Sequence, residues 1–330
     1  MREEDDPIFG GKEPLPDDLV RLQKALSRLP LPPEPDWAAV QPARRRVPTA
    51  AFVYACAAAA AALIVALSGT WLARDAWRVD AIAGAPSLRG LAFGGRVALM
   101  GSIATDDRSR ARLEVRGLGR VDLEPGTLLR RVPGRGSERR LALVHGTLHA
   151  LILAPPRQFV VETPVGAAID LGCAYTLSIS RAGHGRLAVT SGRVTFTGAG
   201  RESFVPAGTW CPLGPGGVGA PRRDYASDVF LAAIAAYDSL GHPAAALDGV
   251  LAAAEASDAI TLWHLLPRVG GAERARVAER IDELIEVPAG VARERVLALD
   301  PAALDAWWEA VGMGSAGEWR AWPRKQLRWP

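Results

Sequence analysis

Gln158–Ser180 reads QFVVETPVGAAIDLGCAYTLSIS. Apolar residues run here in short stretches, and Thr163-Pro164-Val165-Gly166 and Leu171-Gly172 break them. β-Branched and aromatic side chains suit a pleated, half-buried surface, while glycine and proline set the turns between strands. Period-two patterning with a turn signal every eight to twelve residues or so is the mark of successive short strands.

The texture extends in both directions. Ala111–Leu129 (ARLEVRGLGRVDLEPGTLL), Arg140–Ile152 (RLALVHGTLHALI), Gly185–Gly200 (GRLAVTSGRVTFTGAG) and Glu202–Leu213 (ESFVPAGTWCPL) repeat it. The pattern predicts an all-β domain over residues 79–215. A β-solenoid, a roll and a sandwich all satisfy it, and periodicity does not choose among them.

The order of these blocks resembles the FecR domain, over about Ala81 to Pro212. Phe159-Val160-Val161-Glu162-Thr163-Pro164-Val165-Gly166 matches that family's strand followed by Thr-Pro-x-Gly. Gly172 and Tyr175 then stand where the family has Gly-Thr-x-Phe, with Cys173 in place of the threonine. Thr163, Pro164, Gly166, Gly172 and Tyr175 are thus the family-motif residues. The resemblance implies a single-pass inner-membrane protein with its β domain in the periplasm. It also implies relay of a signal from an outer-membrane transporter to a cytoplasmic sigma factor. Such relay proteins usually carry a larger, Trp-containing N-terminal region of several helices; here only residues 17–29 and Trp37 are available.

Upstream, no charged residue occurs between Val47 and Ala73. About 20 apolar residues in a helix cross a bilayer core, since each rises ~1.5 Å. Residues 49–73 are therefore expected to form a transmembrane helix, with Tyr54 and Trp71 near its ends as interfacial rings. Arg44, Arg45 and Arg46 precede it, and Arg74 and Arg78 follow. That bias places the N-terminus in the cytoplasm and the C-terminal domains outside it.

Residues 1–48 are expected to be mostly disordered, being acidic and Pro-rich at the start. One amphipathic helix interrupts them at Asp17–Leu29, with Asp17 or Asp18 as cap. Leu19, Leu22, Leu26 and Leu29 share one face, with Arg21, Lys24 and Arg28 opposite. A single helix has no core of its own, so this face is a candidate partner-binding surface, the alternatives being a helix that lies on the membrane surface or one that stays loose.

Residues 216–224 (GGVGAPRRD) read as a linker. Beyond it, 225–330 turns Ala-rich and helical. Stop signals occur at Leu240-Gly241 and Val269-Gly270-Gly271, and Asp300-Pro301 is a start signal. Trp263, Val277, Ile281, Leu284, Ile285, Leu304, Trp307 and Trp308 would form a small helical core. The tail interleaves Trp319, Trp322 and Trp329 with Arg320, Arg324, Lys325 and Arg328. It suits either an anionic surface or a fold back onto the helices.

The chain has three cysteines. Cys56 falls in the apolar run. Cys173 and Cys211 are expected to pair as a disulfide in an oxidising compartment, the alternative being two buried thiols. His145 and His149 are read as core-edge or solvent-facing rather than as ligands. A net charge of +3 with mixed signs gives no nucleic-acid footprint. Gly117-Leu118-Gly119 lacks the third glycine of a dinucleotide site, and there is no nucleophile elbow, zinc-protease motif or P-loop. The sequence therefore reads as a non-enzyme without cofactor or metal. It suits a membrane-anchored regulator working through protein contacts, with a sigma factor or an envelope protein as partner. The alternative is a structural envelope protein whose β domain holds a polymer or partner without cytoplasmic output.

Overall fold

The structure, a computed structural model, describes residues 16–28, 30, 53–64, 76–90, 92–93, 95–239 and 244–314. The chain divides into two compact units, Met1–Leu63 and Ile64–Pro330.

In the first unit, α1 spans Asp17–Leu26. Pro16, not an aspartate, is its cap residue; Asp17 and Asp18 lie in the first turn, where carboxylates favour the positive end of the helix. Residues 53–64 are helical (α2). Among the described residues no helix is long and apolar enough to cross a membrane. The rest of the expected transmembrane stretch 49–73 lies outside the described residues, as does most of residues 1–48.

The second unit opens with strands. They are β1 (Trp77–Ala83), β2 (Ser87–Arg89), β3 (Ala92–Phe93), β4 (Arg96–Val97), β5 (Ser102–Ala104) and β6 (Arg110–Val115). There follow β7 (Gly119–Leu123), β8 (Leu128–Val132), β9 (Arg139–Ile152), β10 (Phe159–Thr163), β11 (Gly166–Asp170) and β12 (Ala174–Ile179). The series ends with β13 (Gly185–Ser191), β14 (Arg193–Gly198), β15 (Arg201–Pro206), β16 (Thr209–Gly214), β17 (Gly217–Val218) and β18 (Arg222–Arg223).

Pairing sorts most of these strands into two layers. One runs β2-β5-β8-β9-β10-β11-β14-β15. The other runs β1-β6-β7-β9-β12-β13-β16, with β17 and β18 on β16. Every layer contact is antiparallel except β9 with β10. A single core lies between the layers: Leu129, Leu141, Phe159, Val161 and Phe196 from one, Leu113, Leu123, Leu148, Leu177 and Leu187 from the other. Of the three expected β architectures, a sandwich describes this arrangement.

β9 belongs to both layers. Its first half pairs with β8 and β10, and its second half with β7 and β12. The crossover falls at Gly146, whose φ is 105°. A Cβ there would lie 2.4 Å from the Thr127 backbone. Only glycine combines that backbone angle with so close an approach. The Thr127 hydroxyl holds the corner, donating to Thr147 O at 3.1 Å and accepting from Thr147 N at 3.0 Å.

The segment expected as a linker is part of this β layer. β17 and β18 pair with β16, and Val218 and Ala220 are buried. The helices follow: α3 (Asp228–Ser239), α4 (Ala244–Ala253), α5 (Ala259–Leu265), α6 (Gly271–Leu284), α7 (Arg293–Leu297) and α8 (Pro301–Ala310). Asp300 caps α8 by accepting from Ala303 N at 3.0 Å, which suits its place before Pro301. The helical core gathers Phe230, Ile234, Trp263, Ile281, Trp307 and Trp308, and takes in Phe204 and Ala220 from the β side. Polar contacts fasten the two sides together. Phe204 N donates to His264 Nε2 at 3.1 Å. Arg268 donates to Val218 O at 3.1 Å and Ser203 Oγ at 2.6 Å. Arg222 bonds Asp238, and its guanidinium lies 5.2 Å from the Trp210 ring. The helices are thus continuous with the sandwich rather than hung from it.

Candidate functional site

Two places hold the residues singled out by the sequence: the turns around β11, and the apolar face of α1.

Thr163 and Gly166 close the β10–β11 hairpin, with Pro164 and Val165 as its two-residue loop. The buried Thr163 hydroxyl donates to Gly166 O at 2.9 Å and accepts from Val165 N at 3.3 Å. Gly166 has φ 151°, and a Cβ there would meet Thr197 O at 2.2 Å. The motif glycine is therefore what lets β11 lie beside the end of β14. Pro164 is exposed at the tip, where its fixed φ suits the first loop position.

At the other end of β11 the chain passes to the opposite layer through Leu171-Gly172-Cys173. Gly172, at φ 88°, makes the turn. Asp170, buried at 1% exposure, organises it. Its carboxylate accepts from Gly172 N at 2.6 Å and from the Cys173 thiol. Burial raises the Asp170 pKa to about 6, against the lowering effect of those donors. Burial also pushes the Cys173 thiol far up, and the neighbouring Asp170 charge pushes it further. Tyr175 is buried two residues on; desolvation raises its phenol well above the ordinary value. The motif residues Thr163, Pro164, Gly166, Gly172 and Tyr175 thus shape turns and fill core. Asp170 stands inside the quoted stretch but carries no role in the sequence reading, since nothing in the residue order signals its burial.

The expected disulfide is corrected here. Both cysteines are free thiols and both are buried. Cys211 pairs across to Leu187, and Leu187 pairs to Leu177. Cys173 therefore lies two strands over and four residues along, about 16 Å away at ordinary strand spacing and rise. A bridge needs Cα atoms within about 7 Å. Cys173 spends its hydrogen on Asp170, while burial pushes Cys211 up to about 12.

His145 Nδ1 lies 3.1 Å from Gly126 O, and His149 Nδ1 lies 2.8 Å from the Thr176 hydroxyl. Among the described residues no cluster of three or more His, Cys, Asp or Glu is placed to hold a metal.

On α1, Leu19, Leu22 and Leu26 are 48%, 53% and 56% exposed, and no residue of the helix is buried. Leu29, the fourth of the set, lies outside the described residues, as does the Trp-rich tail. An apolar face so open has its burial still to gain, at about 1.5–3 kcal/mol per fully covered leucine.

Residues 101–195 match the family model described as FecR protein. No curated protein matches the chain. Among solved structures, two crystal structures from Parabacteroides distasonis, at 2.50 and 1.65 Å resolution, are each described as "a putative anti-sigma factor". Each is similar to 40% of this chain at 14% identity, with a TM-score of 0.33. The likeness takes in 62% and 63% of those chains, less than two thirds of either.

Proposed function

We propose that this chain, whose residues 101–195 match the FecR protein family model, is a membrane-anchored regulatory protein. In this reading the β-sandwich and its helices stand in the periplasm and respond to a state of the envelope. The uncharged run from Val47 to Ala73 anchors the chain in the inner membrane. The α1 face carries the output to a protein partner in the cytoplasm, a sigma factor.

The family match carries this proposal. The open leucine face of α1 supports it, because a helix without a core of its own gains most by docking on another protein. The polar groups of the motif turns are spent on the fold. A structural envelope protein with no cytoplasmic output remains the competing outcome.

Two measurements test the reading together. Reporter fusions on either side of residues 47–73 should place the N-terminal side in the cytoplasm and the sandwich in the periplasm. Deleting residues 17–29 should then change transcription from a sigma-dependent promoter while the protein stays in the membrane. Periplasmic placement with unchanged transcription favours the structural protein. A cytoplasmic sandwich overturns both.

A further inference from the structure

Between the start of β15 and the helices lies a cavity of about 330 Å³, at the small end of the range for ligand sites. Phe204 from β15, Trp263 from α5, Leu304 from α8 and Leu299 from the α7–α8 link all line it, with Arg201 and Glu202. Phe204 and Trp263 are buried, whereas Glu202 is exposed. The cavity thus runs from an aromatic floor to a charged rim. Protein interiors hold few voids larger than a water molecule, so a space of this size with apolar walls calls for an occupant.

The buried polar groups at this cavity are engaged by the protein itself. His264 Nε2 accepts from Phe204 N at 3.1 Å, and its Nδ1 lies 2.8 Å from Ile260 O. Arg268 donates to Val218 O, Glu202 O and Ser203 Oγ. A ligand is therefore held by shape and apolar contact rather than by an ion pair. The floor is rigid. Trp263 Nε1 donates to Leu304 O at 3.0 Å, which fixes the indole. Behind it, Trp308 meets Trp263 at 5.0 Å and 62° and Phe204 at 5.4 Å and 90°. Rings packed edge to face in this way gain from one further ring.

Leu299 adds a second, independent observation. It has φ 57° where α7 ends, with its N–H on Val296 O and the Asp300 N–H on Arg295 O, both at 2.9 Å. A helix that stops on a left-handed residue mostly has glycine there, because a Cβ is strained. Here the strained residue is a leucine, and it lines the cavity. Such strain clusters at ligand clamps. We propose that this cavity binds a small planar aromatic molecule of one or two rings. The ring lies against Phe204 and Trp263, Leu299 and Leu304 enclose it, and a polar tip reaches the rim. The site lies in the unit formed by sandwich and helices, so it stands or falls independently of any output through α1.

The test is a titration of the full chain in lipid nanodiscs with 5-fluoroindole, followed by fluorine NMR. Empty nanodiscs correct for partition of the probe into lipid. The probe should saturate with a Kd below about 1 mM. Cyclohexanol, which is polar at one end but has no aromatic ring, should displace it about tenfold less well. Leu304→Phe, which fills the cavity, should weaken binding about tenfold or more. Leu299→Gly, which removes the apolar wall and suits the left-handed backbone, should weaken it about threefold. Leu153→Ala, at an exposed position outside the cavity, should leave it unchanged. Thermal unfolding of each variant separates misfolding from lost binding. No saturation by about 5 mM, equal displacement by cyclohexanol, or parental affinity in a folded Leu304→Phe or Leu299→Gly protein overturns the proposal.

Discussion

The Cys173 thiol donates to the Asp170 carboxylate inside the sandwich, at the turn that takes the chain from one layer to the other. That pair replaces the bridge between Cys173 and Cys211 that the sequence suggested. Removing the donor should leave a buried carboxylate one partner short. Cys173→Ala is expected to cost about 1–3 kcal/mol. Cys173→Thr, which puts back a hydroxyl donor, should cost less. Urea midpoints of the two variants check the order; a less stable Thr variant would show that the thiol acts only as filler.

Asp170 also fixes a pH dependence. Its folded pKa of about 6 lies above the ordinary 3.8 because of burial. Between these values the folded state holds more proton than the unfolded state. This residue's contribution is therefore full below pH 4 and is lost as pH rises through 6, by up to about 3 kcal/mol. Asp170→Asn should thus gain stability relative to the parent as pH rises from 4 to 7. Denaturant unfolding at several pH values measures the difference. A constant gap between the two proteins would mean that Asp170 does not titrate in this window.

His264 acts with the opposite sign. Burial, with Arg268 nearby, pushes it down to about 3, so it is neutral when folded. Its contribution is present above pH 6.5 and is lost as pH falls toward 3. The two residues partly offset one another in the parent protein, and only the variants separate them. His264→Leu should cost about 1–3 kcal/mol at pH 7, because the Phe204 N–H loses its acceptor. The cost should shrink at pH 4.5. A cost that grows on acidification would contradict the neutral, accepting ring.

Gly146 is the corner on which both layers depend. Gly146→Ala should cost at least about 3 kcal/mol or prevent folding, since the new methyl meets the Thr127 backbone. Gly126 has φ 70° but open space around it, so Gly126→Ala should cost only about 1–2 kcal/mol. Equal effects would mean that backbone angle, not the close approach, governs the corner.

Much of the β unit is legible in the residue order, because period-two runs such as Leu141 and Leu143, or Leu148, Ala150 and Ile152, reflect burial directly. The shift of β9 between layers is not, since Gly146 in a run of strand residues reads equally as a bulge or a break. Residues 216–224 look like a spacer from their glycines and proline. Their burial comes from β16 on one side and helices on the other, neither of which is local. α7, at Arg293–Leu297, is too short to show a period. The cysteines show the same limit: spacing along the chain does not give register across strands. Arg223 reads as one of many surface arginines until the fold sets it against Met313.

The central claim is that α1 is the output surface of a regulator. The most direct measurement is a sigma-dependent reporter in cells whose chain carries Leu19→Asp, Leu22→Asp and Leu26→Asp together, at parental protein level. Regulation should be lost, while the polar-face substitution Arg21→Glu should leave it in place. Unaltered regulation in the triple variant would contradict the account.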